Sequence, residues 1–249
     1  MSIAVVDRAP VTLDDLNRAA ALLTRVDRKY VLAASAADAV LAALPHATRV
    51  LEIDGARTFA YRSTYFDTPD LACYLGTAHR RRRRYKVRTR TYVDSGECFL
   101  EVKTRRGDAT VKRRLPWLGP ADRIDADGLG FVDGALSEDR IQLDGALTPT
   151  LDVDYLRTTL LMPDGASRAT VDSALTWRDR ATGRTRTAPG LVIVETKSGA
   201  GPSSADHVLW RRGHRPVAVS KYATGLAALR PGLPHNRWHR LLSRADLAA

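Results

Sequence analysis

The chain has 249 residues and a formal net charge of +11 at pH 7, because 39 Lys and Arg outnumber 28 Asp and Glu. This length suits one large β domain or two small ones, and we favour a single domain over 1–249. The charge predicts an anionic partner: nucleic acid, a membrane surface or a polyphosphorylated small molecule. The sequence shows neither a secretion signal nor about eighteen successive apolar residues, so we expect a cytoplasmic protein without a membrane span.

The chain begins with two predicted helices. TLDDLNRAAALLTRV has Thr12 as N-cap, acids in its first turn and apolar residues at helical spacing. SAADAVLAALP begins with Ser35 as a cap and ends before Pro45. Further along, Cys73 and Cys98 lack a metal-ligand spacing, and we interpret them as small buried hydrophobic residues.

Strand-like runs occupy the middle of the chain, separated by turn sequences such as DSGE and MPDGAS. Several neighbouring runs are joined tightly enough to form antiparallel hairpins. The runs are RTFAYRSTYFD, RYKVRTRTYV, CFLEVKTRR, ATVKRRLPW, TLDVDYLRTTLL, RATVDSALTWR and GLVIVETKSG.

A less patterned segment interrupts these runs, and two helical patterns follow them. Residues 119–145 predict a helix and loop excursion, and their GLGFVDG is no dinucleotide fingerprint because its last spacing is one residue too long. GPSSADHVLWRRG, capped by Ser203 or Ser204, and SKYATGLAALRPG are predicted to be helices. His235 and His239 have i, i+4 spacing without a partnering acid, which favours a helical surface role over metal binding.

The densest run of cations is HRRRRRYKVRTRTYV, residues 79–93. Such a run often forms a solvated face or a disordered arm that binds nucleic acid. From Arg84 onward, however, cations alternate with Tyr, Val and Thr, which is the periodicity of a strand with one cationic face about 20 Å long. Two arrangements fit: a half-buried strand whose cations face water, or a closed barrel whose cations point into the lumen. The alternating cations are Arg84, Lys86, Arg88 and Arg90.

Two carboxylates occur in nearly the same phrase. FLEVKTR contains Glu101 and Lys103, and VIVETKSG contains Glu195 and Lys197. Residues two apart in a strand share a face, so each phrase places a carboxylate and an ammonium group on one side of a sheet. Each pair could be a surface ion pair. Together with the basic run and VKRRL, however, these phrases would require four strands to face water, which favours a lumen containing cations and acids that bind an anion and a divalent metal.

Six segments in the same order resemble the VTC domain of polyphosphate polymerases. That domain belongs to the triphosphate tunnel metalloenzyme superfamily, with the CYTH-type triphosphatases and adenylyl cyclases, and the similarity covers about 27–225. The resemblance implies an α+β fold: a closed eight-stranded antiparallel β-barrel flanked by helices at both chain ends, with a tunnel lined by basic residues and acidic metal ligands. The segments are YFDTPDLACYLGTAHRRRRRYKVRTRTY, FLEVKTRRGDATVKRR, VDYLRTTL, TVDSALTWR, VIVETKSG and VSKYATG.

The resemblance also implies roles for individual residues. Glu195 would be the principal metal ligand, with Glu101 as a second ligand. The implied catalytic cations are Lys29, Arg88, Arg90, Lys103, Arg157 and Lys197. The implied substrate-binding cations are Arg62, Arg84, Lys86, Lys112 and Lys221.

The chain departs from the family pattern in its first strand. The superfamily carries alternating glutamates before the first-strand lysine, whereas this chain has VDRKY, so only Lys29 transfers and Asp27 stands in for an acid. A second question concerns Arg157, because strict alternation places it on the face of Tyr155 and opposite the aspartates of the same strand. A bulge or twist is needed if an acid of that strand shares its face.

The reaction that the resemblance implies is phosphoryl transfer from ATP to a growing polyphosphate chain, with Mn²⁺ or Mg²⁺ as cofactor. Attack by water would instead make the protein an inorganic triphosphatase or polyphosphatase, with a similar tunnel lining. A non-catalytic polyphosphate or nucleic-acid binding module is a third possibility, with Tyr85 and Tyr92 available for stacking on bases. For the enzyme we expect no nucleic-acid partner, and any coupling to transport would require a separate membrane protein.

Overall fold

The computed structural model describes residues 7–19, 26–106 and 109–243. Helices and strands alternate irregularly along these ranges, and a short 3₁₀ helix spans Asn236–Trp238. The strands are β1 Pro10–Val11, β2 Val26–Ala33, β3 Arg49–Leu51, β4 Phe59–Asp67, β5 Arg83–Tyr92, β6 Cys98–Arg106, β7 Ala109–Pro116, β8 Thr148–Leu161, β9 Arg168–Asp179, β10 Thr185–Ala188 and β11 Leu191–Ser198. The helices are α1 Leu13–Ala19, α2 Ala34–Ala42, α3 Ala72–Ala78, α4 Ala126–Glu138, α5 Ser204–Arg211, α6 Lys221–Leu229 and α7 His239–Leu242.

The strands form one sheet with the hydrogen-bonded order β2-β11-β9-β8-β4-β5-β6-β7. This path contains the seven predicted runs and the first strand that the family resemblance implied. The predicted closed barrel is wrong: within the described residues no ladder joins β2 to β7, and a barrel requires hydrogen bonding that continues all the way round. The sheet is therefore open at these two strands. The short strands β1, β3 and β10 were not predicted, because two to four residues are too few to show a period.

The described residues group into two compact units, of which the first comprises the described part of Met1–Phe59 with Tyr155–Leu175 and Ala188–Val219. In it β11 pairs antiparallel with β2 and β9. One face of these strands is apolar and packs with α2 and α5. The opposite face carries the charged residues, so the predicted alternation of the VIVETKSG phrase is confirmed. The apolar face includes Tyr30, Leu32, Ala169, Val171, Val192 and Val194.

The second unit comprises Ala60–Asp154, Thr176–Thr187 and the described part of Ser220–Ala249. Here β5, β6 and β7 form two successive antiparallel hairpins, as predicted. The odd-numbered residues Tyr85, Val87 and Thr89 of β5 are buried, whereas the alternating cations are half-buried. The excursion at 119–145 contains α4, which begins after Asp125 and contacts β6. None of the helices in the ranges described here is long and apolar enough to cross a membrane.

The caps of the helices agree with the sequence at most positions. The Thr12 hydroxyl accepts a hydrogen bond from the Asp15 backbone N–H at 3.1 Å, and Ser203 forms a capping box with Asp206. The predicted Ser35 cap is wrong, because α2 begins at Ala34 and its N-cap is Ala33, whose side chain has no acceptor. The predicted first helix also ran too far: Val26 lies in β2, and residues 20–25 fall outside the described ranges.

Candidate functional site

Cations occupy one face of β5, β6 and β7 in rows that cross the three strands. Lys103 is the register partner of Lys86 on β5 and of Lys112 on β7, so three ammonium groups share a row. In the next row Glu101 stands between Arg88 and an arginine of β7. We call this surface the basic face and define it by Lys86, Arg88, Arg90, Glu101, Lys103 and Lys112.

Glu101 is the electrostatic centre of the basic face and is only 3% exposed. Its Oε2 accepts a 2.8 Å hydrogen bond from Arg88 Nε, and its Oε1 lies 2.5 Å from Lys112 Nζ. Arg90 Nη2 is 3.6 Å from the same carboxylate. Burial alone would raise the pKa of Glu101, but Arg88 and Lys112 outweigh it and lower the pKa to about 2. Glu101 is therefore ionised at neutral pH and holds the surrounding cations in place.

Arg90 and its strand neighbour Ser63 carry buried polar atoms that can bind an anion. Arg90 Nε and Ser63 Oγ are both buried without a hydrogen-bond partner in the part of the chain that the structure describes. The two residues are register partners on β5 and β4. Buried donors are normally satisfied, so an orphaned N–H and hydroxyl side by side suit a ligand with acceptor oxygens. Phosphate oxygens meet this requirement.

The SKYATG phrase attaches α6 to the basic face. Lys86 Nζ donates to Ser220 Oγ at 2.9 Å, and the Tyr222 ring stacks on Tyr65 with 5.1 Å between ring centroids. Tyr65 Oη in turn accepts a 2.8 Å hydrogen bond from Arg88 Nη1. Sequence reasoning missed Ser220, Tyr65 and Tyr222 as support for the cations, because they lie far from β5 along the chain and their side chains carry no charge.

The glycine of the same phrase is required for close packing. An added Cβ at Gly225 would lie 2.1 Å from Cδ1 of Trp177, a distance that no side chain can accept. Trp177 Nε1 also donates to the backbone carbonyl of Lys221 at 2.9 Å. These contacts fix the start of α6, where the predicted substrate cation Lys221 lies half-buried.

Arg62 lies on β4, on the opposite face of the sheet from Arg88 and Arg90 of β5. Its register partner is Thr91, an odd-numbered residue of β5, and its guanidinium pairs with Asp154 at 2.7 Å. This ion pair raises the pKa of Arg62. The structure therefore does not bring Arg62 together with the basic face.

In the first unit, Glu195 lies between two lysines. Its Oε1 is 3.9 Å from Lys29 Nζ and 3.6 Å from Lys197 Nζ, and Glu195 and Lys29 are register partners. We call these three residues the Glu195 cluster. Glu195 raises the pKa of Lys197, whereas burial and two nearby arginines lower it. The lowering effects are larger, so the pKa of Lys197 lies below the ordinary lysine value. The two arginines are Arg157 and Arg168.

Arg157 also lies in the first unit and is held by an acid that was not predicted. Its Nε and Nη2 donate to the two carboxylate oxygens of Asp172 at 2.6 and 2.9 Å. Asp172 is fully buried on β9. The question raised by strict alternation is thereby answered, because the acid on the face of Arg157 comes from the neighbouring strand and no bulge of β8 is needed to supply it. Periodicity predicts faces within a strand but not the partner across strands.

The carboxylates differ in how well they suit a metal ion. Among the described residues there is no group of three or more His, Cys, Asp or Glu side chains placed to hold one. Glu101 suits a metal poorly, because cations already contact both of its oxygens. Glu195 suits Mg²⁺ or Mn²⁺ better, since such an ion often needs only one or two carboxylates when substrate phosphates complete its shell. Asp27 is the register partner of Lys197 and provides a second carboxylate nearby.

The family comparison agrees with the motifs described above. The VTC domain profile matches residues 24–230, and the chain belongs to the VTC domain family. The predicted family is thereby confirmed. No curated protein matches the chain.

Solved structures that match the chain have low sequence identity and TM-scores below 0.5. A candidate adenylate cyclase of Bacillus halodurans has 12% identity and a TM-score of 0.48, over 79% of this chain and 94% of that one. A candidate adenylyl cyclase of Hippeastrum, described as having a dominant triphosphatase activity, has 15% identity and a TM-score of 0.46, over 82% and 96%. A conserved hypothetical protein of Pyrococcus furiosus has 11% identity and a TM-score of 0.40, over 76% and 88%.

Proposed function

We propose that the protein transfers the terminal phosphoryl group of ATP to a growing polyphosphate chain in a metal-dependent reaction. Membership of the VTC domain family supports this proposal. The observation that carries it is the convergence of Arg88, Arg90 and Lys112 on one buried carboxylate. A surface that only needed to be soluble would not place a buried acid beneath three cations, whereas an anion-binding surface needs the cations held in fixed positions.

The basic face binds phosphate in this proposal. Arg88 and Arg90 present planar guanidinium groups that match pairs of phosphate oxygens, and Glu101 fixes the orientation of Arg88 before substrate arrives. Lys86 and Lys103 supply point charges in the next row. The orphaned Nε of Arg90 gains an acceptor when a phosphate binds.

The Glu195 cluster supplies the proposed carboxylate ligand. Glu195 would hold the divalent ion together with substrate oxygens, and Lys29 and Lys197 would contact phosphate. When bound, the ion neutralises charge on phosphate oxygens as a Lewis acid. Arg157 adds a guanidinium group whose direction is fixed by Asp172. The rate contribution of these residues is electrostatic, because phosphoryl transfer depends mainly on alignment and charge stabilisation.

The proposed reaction needs little proton transfer. A terminal oxygen of the polyphosphate chain attacks the γ-phosphorus of ATP, the bond from that phosphorus to the β–γ bridging oxygen breaks, and ADP leaves. An ionised phosphate can attack without a general base, whereas water needs one. Glu101 is a poor base, because its pKa is about 2 and cations hold both of its oxygens. The basic face therefore favours a phosphate nucleophile over water.

The test is incubation of the protein with ATP and Mn²⁺ or Mg²⁺, with and without a short polyphosphate primer, while ADP, free phosphate and polymer are resolved. Polymer formed together with ADP is the expected result. Free phosphate in equal amount to ADP, without polymer, would instead identify a triphosphatase. Tight, salt-sensitive nucleic-acid binding without any turnover would identify a binding module and contradict the proposal.

A further inference from the structure

Four arginines from four different segments meet at the start of β5. Arg80 precedes the strand, Arg84 lies on it, Arg105 is the register partner of Arg84 on β6, and Arg237 belongs to the 3₁₀ helix near the C-terminus. All four lie within the second unit. We call them the arginine cluster.

The arginine cluster is held in place by contacts to the backbone and to α3. Arg84 Nη1 donates to the carbonyl of Arg81 at 2.5 Å, and Arg237 Nη1 donates to the carbonyl of Thr77 at 2.8 Å. The Cα of Gly76 allows α3 to approach Arg84, because an added Cβ there would lie 3.3 Å from the Arg84 Cβ. Arg237 Nε is buried and has no hydrogen-bond partner in the ranges that the structure describes.

The electrostatics of the arginine cluster are repulsive. Burial, and then the neighbouring arginines Arg105 and Arg237, lower the pKa of Arg84. Burial, and then Arg80 and Arg105, lower the pKa of Arg237. Among the residues that the structure describes, the neighbouring charges that shift these two pKa values are thus all arginines. Like charges gathered in partly buried positions oppose folding, and a bound polyanion would remove this cost.

We propose that the arginine cluster binds the phosphates of a polyphosphate chain that extends beyond the part held by Arg88 and Arg90. This inference rests on the proposed function and names a second contact region for its polymer. Arg84 and Arg88 share a face of β5 and are four residues apart, about 13 Å along the strand. An extended chain can therefore reach both positions, and chains longer than a triphosphate gain the additional contacts.

The cluster suits an inorganic polyphosphate better than a nucleic acid. Recognition of single strands normally uses exposed aromatic rings on which bases stack. The Tyr and Trp residues next to cluster members in the chain are Tyr85 and Trp238, which are 6% and 2% exposed and cannot stack on a base. What remains is a dense set of guanidinium groups, which fits a ligand that consists of phosphate alone.

The experiment compares chain lengths. Binding of tripolyphosphate and of long-chain polyphosphate is measured by calorimetry in EDTA without ATP, for the wild type and for Arg80→Gln combined with Arg237→Gln. We expect the Kd for the long chain to rise at least about ten-fold and the Kd for tripolyphosphate to change less than about three-fold. Arg211→Gln with Arg212→Gln, two exposed arginines at the end of α5, is the control of equal charge change, and it should alter neither value more than about three-fold.

Three outcomes overturn the inference. Equal losses for both ligands would show that the cluster is not selective for long chains, and unchanged binding of the long chain would show that it does not bind polyphosphate. Loss of binding to single-stranded DNA or to anionic lipid vesicles, with polyphosphate binding intact, would assign the cluster to that partner instead. Arg80→Gln alone, at an exposed side chain, covers the case in which the double variant does not fold. Because no turnover is measured, length-dependent binding can succeed even where polymer synthesis fails.

Discussion

Glu101 and Glu195 occupy nearly identical phrases but have different surroundings. Glu101 is 3% exposed and makes short contacts, 2.8 Å to Arg88 Nε and 2.5 Å to Lys112. Glu195 is 8% exposed, and its contacts with Lys29 and Lys197 are longer, 3.9 and 3.6 Å. The local sequence cannot produce this difference, because each glutamate is followed two residues later by a lysine.

The neighbouring strands produce the difference. β6 lies between β5 and β7, which provide Arg88 and Lys112 on either side of Glu101. β11 lies between β2 and β9, and the residues level with Glu195 are Lys29 and Thr170. Arginine offers a rigid fork of donors and lysine a flexible point charge. Glu101 thus holds the neighbouring cations in place, and Glu195 is the better candidate for a metal ligand.

The largest expected effect is on turnover in Glu195→Gln, which keeps the shape of the side chain and removes its charge. Turnover at saturating ATP should fall at least about 10²-fold, which corresponds to about 2.7 kcal/mol or more of lost transition-state stabilisation, because the proposed metal ligand is lost. ATP binding without metal should change much less. The measurement is polymer and ADP formation across a Mn²⁺ titration.

Glu97→Gln is the matched control for that experiment, because Glu97 is exposed in the turn between β5 and β6. Its turnover should equal that of the wild type. Near-normal turnover of Glu195→Gln at every Mn²⁺ concentration would show that Glu195 is not the metal ligand. The proposed difference in function between Glu195 and Glu101 would then be wrong.

The second effect is on stability. Glu101→Gln should lower the free energy of unfolding by about 3 kcal/mol at pH 7, because a pKa lowered from 4.5 to about 2 corresponds to that much stabilisation of the folded state. Glu195→Gln should cost less than about 1 kcal/mol. Urea unfolding of both variants checks the comparison, and equal losses would contradict it.

Glu101 also makes the stability of the protein depend on pH. Because folding lowers the pKa of Glu101, its contribution is complete above the unfolded pKa near 4.5 and is lost as pH falls toward about 2. The difference in stability between the wild type and Glu101→Gln should therefore shrink from pH 5 downward. Comparison with the variant is needed because the pKa of Asp179 is also lowered to about 2, by hydrogen bonds from Arg230 and Thr182 that outweigh burial. A difference that stays constant to pH 3 would show that Glu101 is not stabilised by its charge.

The third effect is on affinity. Arg90→Ala should weaken binding of ATP or polyphosphate by roughly 1 to 3 kcal/mol, the range for a lost charge-assisted hydrogen bond. Folding should survive, because Arg90 is 3.6 Å from Glu101 while closer cations remain. Calorimetry checks the affinity, with Arg123→Ala at an exposed position as the control. If folded Arg90→Ala binds ATP and polyphosphate with unchanged affinity, β5 is better interpreted as a strand whose cations only face water.

The smallest effect is expected for Tyr65→Phe. It removes the acceptor of Arg88 Nη1 but keeps the ring that stacks on Tyr222, so the expected loss of stability is about 1 kcal/mol. Urea unfolding measures it. A loss as large as that of Glu101→Gln would mean that the hydroxyl, rather than the carboxylate, holds Arg88 in place.

The period of β5 could be predicted from its residues, because alternation of cations with Tyr, Val and Thr defines a face without any knowledge of neighbours. The rows across the sheet could not, since they depend on hairpin register. Lys86, for instance, is level with Lys103 because of the length of one turn, and its contact with Ser220 spans 134 residues. The missed role of Asp172 has the same origin, because its partner Arg157 lies on another strand.

Closure of the sheet and the start of α2 were two errors, besides the overlong first helix. Closure depends on whether two distant strands meet, which no local pattern encodes. The start of α2 was misplaced because serine is a common cap, yet here the strand β2 passes directly into the helix at Ala33 and leaves Ser35 inside the first turn. Motif order predicted the family and the strand content, whereas tertiary contacts determined the rest.

The hydrogen bond between Asp67 and Tyr222 of α6 matters when shortened chains are prepared. This fully buried carboxylate accepts hydrogen bonds from the backbone N–H of Thr68, from two backbone N–H groups in the first turn of α3, and from the Tyr222 hydroxyl. A recombinant fragment, or a proteolytic product, that stops before residue 220 would leave Asp67 one donor short and remove the ring that covers Tyr65. Burial disfavours the charged form of Asp67 and raises its pKa, and loss of the Tyr222 hydrogen bond would add to this cost. Because Asp67 ends β4, such a fragment would weaken the strand that supports Arg88. Truncations that are meant to keep the basic face therefore need to retain α6.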